Sequence, residues 1–191
     1  MSERPQRLGD VVSGVDWDRW SVVLLKPDCI ERGLSDTLLE RLSRLVAITG
    51  RREVRVAPWQ IHVHYWDLLV GADWLGRDIP ACLDSLYVGK RVGVALAFGP
   101  PGTAQLLRDQ LGHYDPVRAA PGTLRGDWGT DSLAQAEAEG RLINNLIHTS
   151  DDAQAACRDF GTWYGAHQAH LLRPSDVPRP ASPAQRPLPR P

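Results

Sequence analysis

Hydrophobic residues follow two different spacings in the first part of the chain, and each spacing predicts a different element. Residues 20–25, WSVVLL, form a nearly continuous apolar run, which is typical of a strand buried on both faces. Residues 34–48 instead place apolar side chains on one face of a helix: Leu34, Leu38, Leu42, Leu45 and Val46. Ser35 or Asp36 is the predicted N-terminal cap of that helix. The pattern therefore predicts a strand followed by an amphipathic helix.

The same alternation of elements continues along the rest of the sequence. Residues 53–59 and 91–99 alternate in the manner of strands. Residues 60–88 and 103–111 show helical spacing, the first of them with a break near GADWLGRDIP. A predicted strand over 142–148 and a predicted helix over 150–165 complete the order. This order predicts an α+β fold in which helices pack against one mixed or antiparallel sheet.

The two ends of the chain have a different character. Residues 1–16 are polar and aperiodic, and residues 173–191 are too rich in proline to form a helix or a central strand. We expect both segments to be flexible tails on one domain of residues 17–172. A chain of 191 residues with 42% hydrophobic side chains is long enough to bury one well-packed core.

Charge and cysteine content narrow the classes of partner and compartment. The formal net charge of −1 gives no global field that would attract nucleic acid or an anionic membrane, so we expect neither partner. The three cysteines lie at unrelated spacings, which fits free thiols better than a disulfide framework or a CxxC metal site. Without a signal sequence or an apolar run of about 18 residues, we expect a soluble, cytoplasmic protein.

The segment NNLIHTSDD, residues 144–152, holds the first candidate for chemistry. It places His148 where a predicted strand ends and a predicted helix begins. Imidazole is largely neutral at cellular pH, and its free ring nitrogen is a competent nucleophile. A single histidine is more often a hydrogen-bonded structural residue, so context must decide. His62 and His64, in HVHY at residues 62–65, have a spacing that can chelate a metal. They fall at the start of a predicted helix and have no evident third ligand, which favours a structural role.

Three cations lie at predicted strand ends and in loops, where they could meet His148. They are Lys26, Arg108 and Arg125. An isolated arginine is usually a solvated surface charge, but guanidinium groups that converge with a lysine can clamp a polyphosphate, because their fork matches phosphate oxygens. Asn145 can point to the same place as His148 only if the strand ends between them.

Four motifs carry a resemblance to a known family. KPDCIERGL, HYWDLL, RDQLGHYDPVRAAPGTLRGDW and NNLIHTSDD occur in the order and roughly the spacing of the nucleoside diphosphate kinase family, over about residues 20–170. The resemblance implies a ferredoxin-like α/β sandwich with a mainly antiparallel sheet. It also implies transfer of the terminal phosphate of a nucleoside triphosphate to a nucleoside diphosphate through a phosphohistidine, with Mg²⁺ on the phosphates, in a homo-oligomer.

The resemblance also implies roles for individual residues. His148 would accept the phosphate, with Tyr65 beside its imidazole. Lys26 would contact the phosphate and the ribose hydroxyl, and Asn145 would bind the ribose 3′-hydroxyl. Arg108 and Arg125 would hold the transferring phosphates.

Two more residues would orient the His148 ring from behind. They are Ser150 and Asp159, of which Asp159 stands where the family usually has glutamate.

Several positions depart from the family pattern. Tyr114 replaces a threonine that contacts phosphate, and Thr149 replaces the glycine after the histidine. A one-residue insertion would bring Trp74 to the base-stacking position, although a buried core tryptophan fits as well. The loop over 129–141 is longer than usual, with a helical Ala/Glu composition, and we expect it to cover the site or alter assembly.

Three functions are compatible with these residues. The first is a nucleoside diphosphate kinase. The second is a nucleotide-binding or regulatory protein that transfers phosphate weakly or not at all, and the third is a related kinase for a dedicated nucleotide-like substrate. The nucleophilic histidine favours the first, because a protein that only binds nucleotides has no need of it.

Overall fold

One antiparallel sheet organises the part of the chain that the structure describes. The computed structural model describes residues 12–70 and 78–173. Within them the sheet has the strand order β2-β3-β1-β4. Its strands are β1 (Trp20–Leu25), β2 (Ala47–Arg55), β3 (Arg91–Phe98) and β4 (Ile147–Thr149). Each neighbouring pair is antiparallel, so the sheet is antiparallel throughout.

Helices fill the connections between the strands. In chain order they are α1 (Pro27–Glu31), α2 (Ser35–Ser43), α3 (Pro58–His64), α4 (Trp66–Val70), α5 (Ile79–Tyr87), α6 (Thr103–Leu111), α7 (Leu124–Trp128), α8 (Leu133–Ala138) and α9 (Ala153–Trp163). Short 3₁₀ turns cover Trp17–Arg19, Pro116–Arg118 and Ala166–Leu172. None of the described helices is long and apolar enough to cross a membrane.

The sheet has a hydrophobic core on each face. Successive side chains of a strand point to opposite faces, so β1 sends Val22 and Leu24 into the first core and Val23 and Leu25 into the second. All six residues of β1 are buried, which confirms the prediction from WSVVLL. The first core also contains Val12, a residue of the predicted N-terminal tail. Helices on a two-faced antiparallel sheet confirm the predicted α+β sandwich.

The predicted bounds of α2 and β2 were wrong. The helix ends at Ser43 rather than near residue 48, and β2 begins at Ala47 rather than at residue 53. Pairing with β3 decides this, because Ala47 lies opposite Phe98 and Thr49 opposite Leu96 before a bulge. Long-range pairing thus overrides the local helical pattern.

The end of the predicted strand 53–59 was also wrong. β2 stops at Arg55, and Pro58 is the first residue of α3. Proline is favoured at the first helical position, where its missing N–H would have no partner in any case. The predicted helical region 60–88 contains most of α3 and all of α4 and α5, and residues 71–77 of the predicted break lie outside the described residues.

The strand predicted over 142–148 is much shorter than expected. β4 covers only Ile147–Thr149, because Leu146 has a left-handed backbone with φ 69°. The Leu146 N–H donates to Asp28 Oδ2 at 3.0 Å, and its carbonyl accepts from the Lys26 N–H at 2.8 Å. These bonds hold the chain out of the sheet until the residue just before His148.

The N-cap of α9 is Asp152, whose Oδ1 accepts from the Ala155 N–H at 2.8 Å. The predicted N-cap of α2, Ser35 or Asp36, was wrong. Leu34 occupies the N-cap position of α2 without a side-chain hydrogen bond. The helix predicted in the long loop is confirmed as α8. Trp74 and the Pro-rich tail after Arg173 lie outside the described residues.

Candidate active site

His148 lies in the middle of β4, where it pairs with Leu24 of β1. Its imidazole is partly buried and packs against Tyr65, at 5.3 Å between ring centroids. Burial, helped by the nearby His64 and Lys26, holds the pKa of His148 well below its ordinary value. The imidazole is therefore neutral near pH 7, and a ring nitrogen keeps the lone pair that a nucleophile requires.

A cleft of about 240 Å³ opens beside His148. It is lined by two guanidinium groups, the imidazole and a loop: Arg108, Leu111, Gly112, His113, Tyr114, Arg125 and His148. Two cations beside a neutral nucleophile suit an anionic ligand that carries a reactive centre. The structure thus brings together Arg108, Arg125 and His148, which the sequence places far apart.

Arg108 forms an ion pair with Asp151 from the segment between β4 and α9. Both side chains are about half exposed, at 45% and 47%. A pair in this position contributes little to stability, because solvent screens it. Its partner oxygens can therefore be exchanged for those of a phosphate at small cost.

Arg125 is bound much more tightly than Arg108. It is only 8% exposed, and its guanidinium donates to three backbone carbonyls: Asn145 at 3.3 Å, Gly112 at 3.1 Å and Ile147 at 2.7 Å. Burial lowers the pKa of Arg125 to about 10, so it stays charged at pH 7. Gly112 has φ 77°, and a β-carbon there would lie 2.3 Å from Thr123 Oγ1, so glycine is required.

Lys26 follows β1 directly and is 7% exposed. Burial lowers its pKa to about 8, opposed by the nearby Asp28 carboxylate and aided by the charge of Arg125. Burial likewise raises the pKa of Asp28, against the effect of Lys26. The ammonium group lies 5.8 Å from the ring centroid of Tyr87. Lys26 is thus a buried cation that an anionic ligand would stabilise.

Two tyrosine hydroxyls meet next to His148. The hydroxyls of Tyr65 and Tyr87 are 2.8 Å apart and share a hydrogen bond. Burial raises the pKa of both phenols, so both are protonated and neutral. Tyr87 is fully buried at the end of α5. It therefore fixes the ring of Tyr65 against the His148 imidazole.

Asn145 is tied to the loop that carries Tyr114. Its Nδ2 donates to the Tyr114 carbonyl at 2.7 Å, whereas its buried Oδ1 has no partner among the described residues. The Tyr114 ring is 49% exposed and stacks on His113, with 4.5 Å between ring centroids. Tyr114 thus contributes its backbone to the order of the site and its ring to the rim of the cleft.

Ser150 and Asp159 form a buried pair behind β4. The Ser150 hydroxyl donates to Asp159 Oδ2 at 2.7 Å and accepts from the Val22 N–H at 3.1 Å. Asp159 Oδ1 lies 2.8 Å from His64 Nδ1. Both oxygens of the carboxylate are therefore engaged by groups other than the His148 ring.

Sequence reasoning missed two residues of this site, His64 and Tyr87. His64 directly precedes Tyr65 in the motif HYWDLL, which could have drawn attention to it, but it was considered only together with His62, and the pair was predicted to be structural. The structure separates the two histidines: His62 bonds Asp84, and His64 turns into the core. The described residues contain no group of three potential metal ligands. No local pattern marked Tyr87.

A second, larger cavity of about 520 Å³ lies between α1, α5 and the segment before β4. Pro27 and Asp28 line it directly after Lys26, and Asn144 lines it directly before Asn145. Apolar contact is available on the other walls, from Cys82, Leu86 and Leu142 among others. The cavity has a size typical of small-molecule sites, and its lining includes the sequence neighbours of Lys26 and Asn145.

The family model described as nucleoside diphosphate kinase matches residues 20–169. The chain belongs to the nucleoside diphosphate kinase family. Its relatives include the nucleoside diphosphate kinase of Chloroflexus aurantiacus, 32% identical over 149 residues, or 78% of this chain and 88% of the relative. The nucleoside diphosphate kinase of Streptococcus thermophilus is 31% identical over 143 residues, or 74% of this chain and 95% of the relative.

Solved nucleoside diphosphate kinases have the same fold. The Pyrobaculum aerophilum enzyme has a TM-score of 0.66 and 27% identity, covering 76% of this chain and 95% of that one. The Halobacterium salinarum enzyme, solved with CDP, has a TM-score of 0.62 and 27% identity, covering 77% and 88%. These findings confirm the predicted family, ferredoxin-like fold and activity: the chain is a phosphotransferase that moves the terminal phosphate of a nucleoside triphosphate to a nucleoside diphosphate.

Proposed function

We propose that His148 is the residue that carries the phosphate between donor and acceptor nucleotide. The observation that carries this proposal is the neutral imidazole of His148 on a cleft with two guanidinium groups. A ring nitrogen attacks the γ-phosphorus, a nitrogen–phosphorus bond forms, and the bond to the β–γ bridging oxygen breaks. The diphosphate leaves with that electron pair, and a second diphosphate reverses the step. One site thus serves both nucleotides in turn.

The cations of the site neutralise charge during the transfer. Phosphoryl transfer needs chiefly in-line positioning and stabilisation of charge on the phosphate oxygens. Arg108 exchanges Asp151 for phosphate, Arg125 adds a fixed positive charge, and Lys26 supplies an ammonium whose charge is favoured when an anion binds. Tyr65 holds the imidazole in position from the side.

The nucleoside extends away from His148, because the 240 Å³ cleft is too small for a whole nucleotide. The larger cavity beside Asn144 is the place we propose for it, with Asn145 at the ribose. Trp74 is the proposed base-stacking residue, outside the described residues. The CDP bound to the Halobacterium salinarum relative supports a nucleoside diphosphate as ligand.

Mg²⁺ fits this site as an ion held by the phosphates of the nucleotide rather than by protein side chains. The residues that line the cleft are cationic, neutral or apolar, a set that attracts phosphate oxygens rather than a bare divalent cation. The ion would neutralise phosphate charge when bound. Arg108 and Arg125 would then contact oxygens that the metal leaves free.

We also propose that the protein is a cytoplasmic homo-oligomer. The three cysteines are free thiols, which fits a reducing compartment. An exposed apolar face on α3 and α4 includes Trp59 at 57%, Trp66 at 57% and Val70 at 63% exposure. Contiguous exposed apolar residues are typical of subunit contacts. Light scattering should show at least two subunits, and a monomer would contradict this part of the proposal.

Self-labelling tests the role of His148. The protein should take up label from γ-labelled ATP with Mg²⁺, the label should be acid-labile and base-stable, and it should pass to an added nucleoside diphosphate. His148→Ala should abolish uptake, whereas His113→Ala, a histidine in the same cleft, should retain it. Label that survives His148→Ala would refute the assignment. Nucleotide binding without any label would favour the regulatory alternative.

A further inference from the structure

His64 is a fully buried histidine that contacts both Asp159 and His148. Its exposure is 2%, although nothing in its sequence surroundings required a buried imidazole at that position. Its ring packs perpendicular to the His148 ring, with 4.9 Å between centroids and 86° between planes. Its Nδ1 lies 2.8 Å from Asp159 Oδ1. The two imidazoles and the carboxylate thus form one contiguous series from α9 to the cleft.

The hydrogen bonds assign the proton of His64. A carboxylate oxygen only accepts, so Nδ1 carries the proton in the 2.8 Å contact with Asp159. The indole N–H of Trp163 also points at Nδ1, at 3.2 Å, and it can only donate, so it competes with Asp159 for this nitrogen. The shorter, charge-assisted contact with the carboxylate is the stronger of the two and decides the tautomer. In the neutral tautomer, the other nitrogen, Nε2, then holds a lone pair.

The lone pair on Nε2 has no partner among the described residues, although the atom is buried. Buried acceptors are normally satisfied, so an unpaired one next to a reactive group points to a partner that arrives during function. When a phosphate occupies one nitrogen of His148, the other nitrogen of that ring carries a proton. That N–H needs an acceptor at the back of the site.

Asp159 is poorly placed to be that acceptor. Its Oδ1 is taken by His64 and its Oδ2 by the Ser150 hydroxyl, which is itself held by the Val22 N–H. The aspartate side chain ends at its γ-carbon, one methylene short of a glutamate, and His64 occupies the place next to it. The carboxylate therefore acts on His148 indirectly, through His64.

We propose that His64 is a positioning residue of the transfer reaction, whose Nε2 accepts a hydrogen bond from the proton-bearing nitrogen of His148 while Asp159 fixes its orientation. A rotation of the His148 ring within its present contact makes this bond. The bond holds the opposite nitrogen toward the cleft and compensates the buried N–H of the phosphorylated state. This inference rests on His148 as the phosphoacceptor.

Single-turnover labelling with matched variants tests the proposal. His64→Leu fills the site without an acceptor, and it should lower the labelling rate of His148 at least tenfold while leaving the Kd for ADP within about twofold. His64→Gln keeps an amide oxygen and should retain more of the rate. His62→Leu, two residues earlier on α3, is the control and should label like the parent.

A rescue experiment separates positioning from simple packing. His64→Ala should slow labelling, and adding Asp159→Glu should restore part of the rate, because the longer carboxylate can enter the vacated space and accept from His148 directly. Parent-like labelling in His64→Leu, a Kd that weakens in step with the rate, or no rescue would overturn the proposal.

Nitrogen-15 NMR gives a readout that does not depend on any variant folding. Phosphorylation of the parent should shift the Nε2 resonance of His64 as it accepts the new hydrogen bond, and an unchanged resonance would overturn the inference. If the parent takes up label on His148 but the variants and the NMR spectrum show none of the expected effects, only the role of His64 is refuted. A parent without label on His148 removes the proposed function together with it.

Discussion

Arg125 holds the backbone that leads into His148, since its guanidinium donates to the carbonyls of Asn145 at 3.3 Å and Ile147 at 2.7 Å. The residue that supplies positive charge to the cleft therefore also shapes the strand that carries the nucleophile. Arg108 instead pairs with a side chain, the half-exposed carboxylate of Asp151. The two arginines should differ when each is removed.

Arg125→Ala should lower both stability and activity. It leaves buried carbonyls unpaired, which costs about 1–3 kcal/mol of unfolding free energy. Urea unfolding measures the first effect, and labelling of His148 measures the second. An unfolding free energy equal to that of the parent would show that the carbonyls find other partners.

Arg108→Ala should weaken nucleotide binding without a loss of stability. The charge-assisted contact with phosphate is worth roughly 1.5–3 kcal/mol, so the Kd should rise about 10- to 100-fold. Calorimetric titration with ADP measures it. Arg118→Ala, an exposed arginine on the neighbouring 3₁₀ turn, serves as the control and should bind like the parent.

Tyr114→Thr should raise kcat/KM, because a half-exposed ring leaves the rim of the cleft and a small hydroxyl enters. The fold should tolerate the change, since the bond from Asn145 goes to the backbone carbonyl of residue 114. Tyr114→Phe keeps the ring and should behave like the parent. A large loss of kcat/KM in Tyr114→Phe would instead show that the phenol hydroxyl is itself a phosphate ligand.

The pKa of Lys26 predicts opposite pH effects on binding and on stability. Nucleotide affinity should fall as the pH rises through about 8, where the ammonium loses its charge. Stability of the free protein should rise between about 8 and the ordinary value of 10.5, because there the unfolded state binds the proton and the folded state does not. Lys26→Arg should remove both effects, as measured by calorimetry and thermal unfolding.

Asp131 should matter more than its place in the long loop suggests. Its carboxylate is 8% exposed, pairs with Arg141 and accepts from the Asn144 N–H at 2.8 Å, just before the site. Asp131→Asn should lower the unfolding temperature and slow the labelling of His148. Glu139→Gln, which loses only an exposed pair with the same arginine, should do neither.

The pH dependence of that effect follows from the low pKa of Asp131. Hydrogen bonds from Arg141 hold it at about 2, against an ordinary value of 3.8. The stabilisation is complete above about 3.8 and is lost as the pH falls through about 2. The difference between Asp131→Asn and the parent should therefore shrink only in strong acid. A difference that disappears already at pH 5 would point to another group.

Thiol labelling should locate the nucleoside. Cys82 lines the larger cavity and is partly exposed, as is Cys157 on α9, whereas burial raises the pKa of Cys29 to about 12 and leaves it inert. ADP should protect Cys82 from a maleimide and leave Cys157 reactive. Equal reactivity of Cys82 with and without ADP would place the nucleoside elsewhere.

The parts of the fold that the sequence predicts well are those set by local pattern. The apolar run of β1, the stripe of α2 and the short helix α6 need only spacing to be recognised. The starts of β2 and β4 depend on partners far away in the sequence, Phe98 for β2 and Asp28 for β4. No window of neighbouring residues contains that information.

In the candidate site too, the sequence predicts some features and leaves others to contacts between distant residues. The motifs placed His148, Arg108 and Arg125 on one list of candidates, and the structure brings them to one cleft. Sequence alone missed that a single exchange of glutamate for aspartate leaves room for His64 beside the carboxylate. Side-chain reach and packing decide such contacts, and they become visible only in three dimensions. The assigned roles of these residues stay predictions until the variants are measured.

Leu146 imposes a constraint of a different kind on the residue next to His148. Its left-handed backbone costs a non-glycine residue about 1–2 kcal/mol, and its side chain is fully buried in the second core. Glycine would relax the torsion but leave a void, whereas valine or isoleucine would fill the void but resist the torsion. Position 146 is therefore subject to two selective demands at once, and it should change more slowly among descendants of this chain than the exposed residues around it.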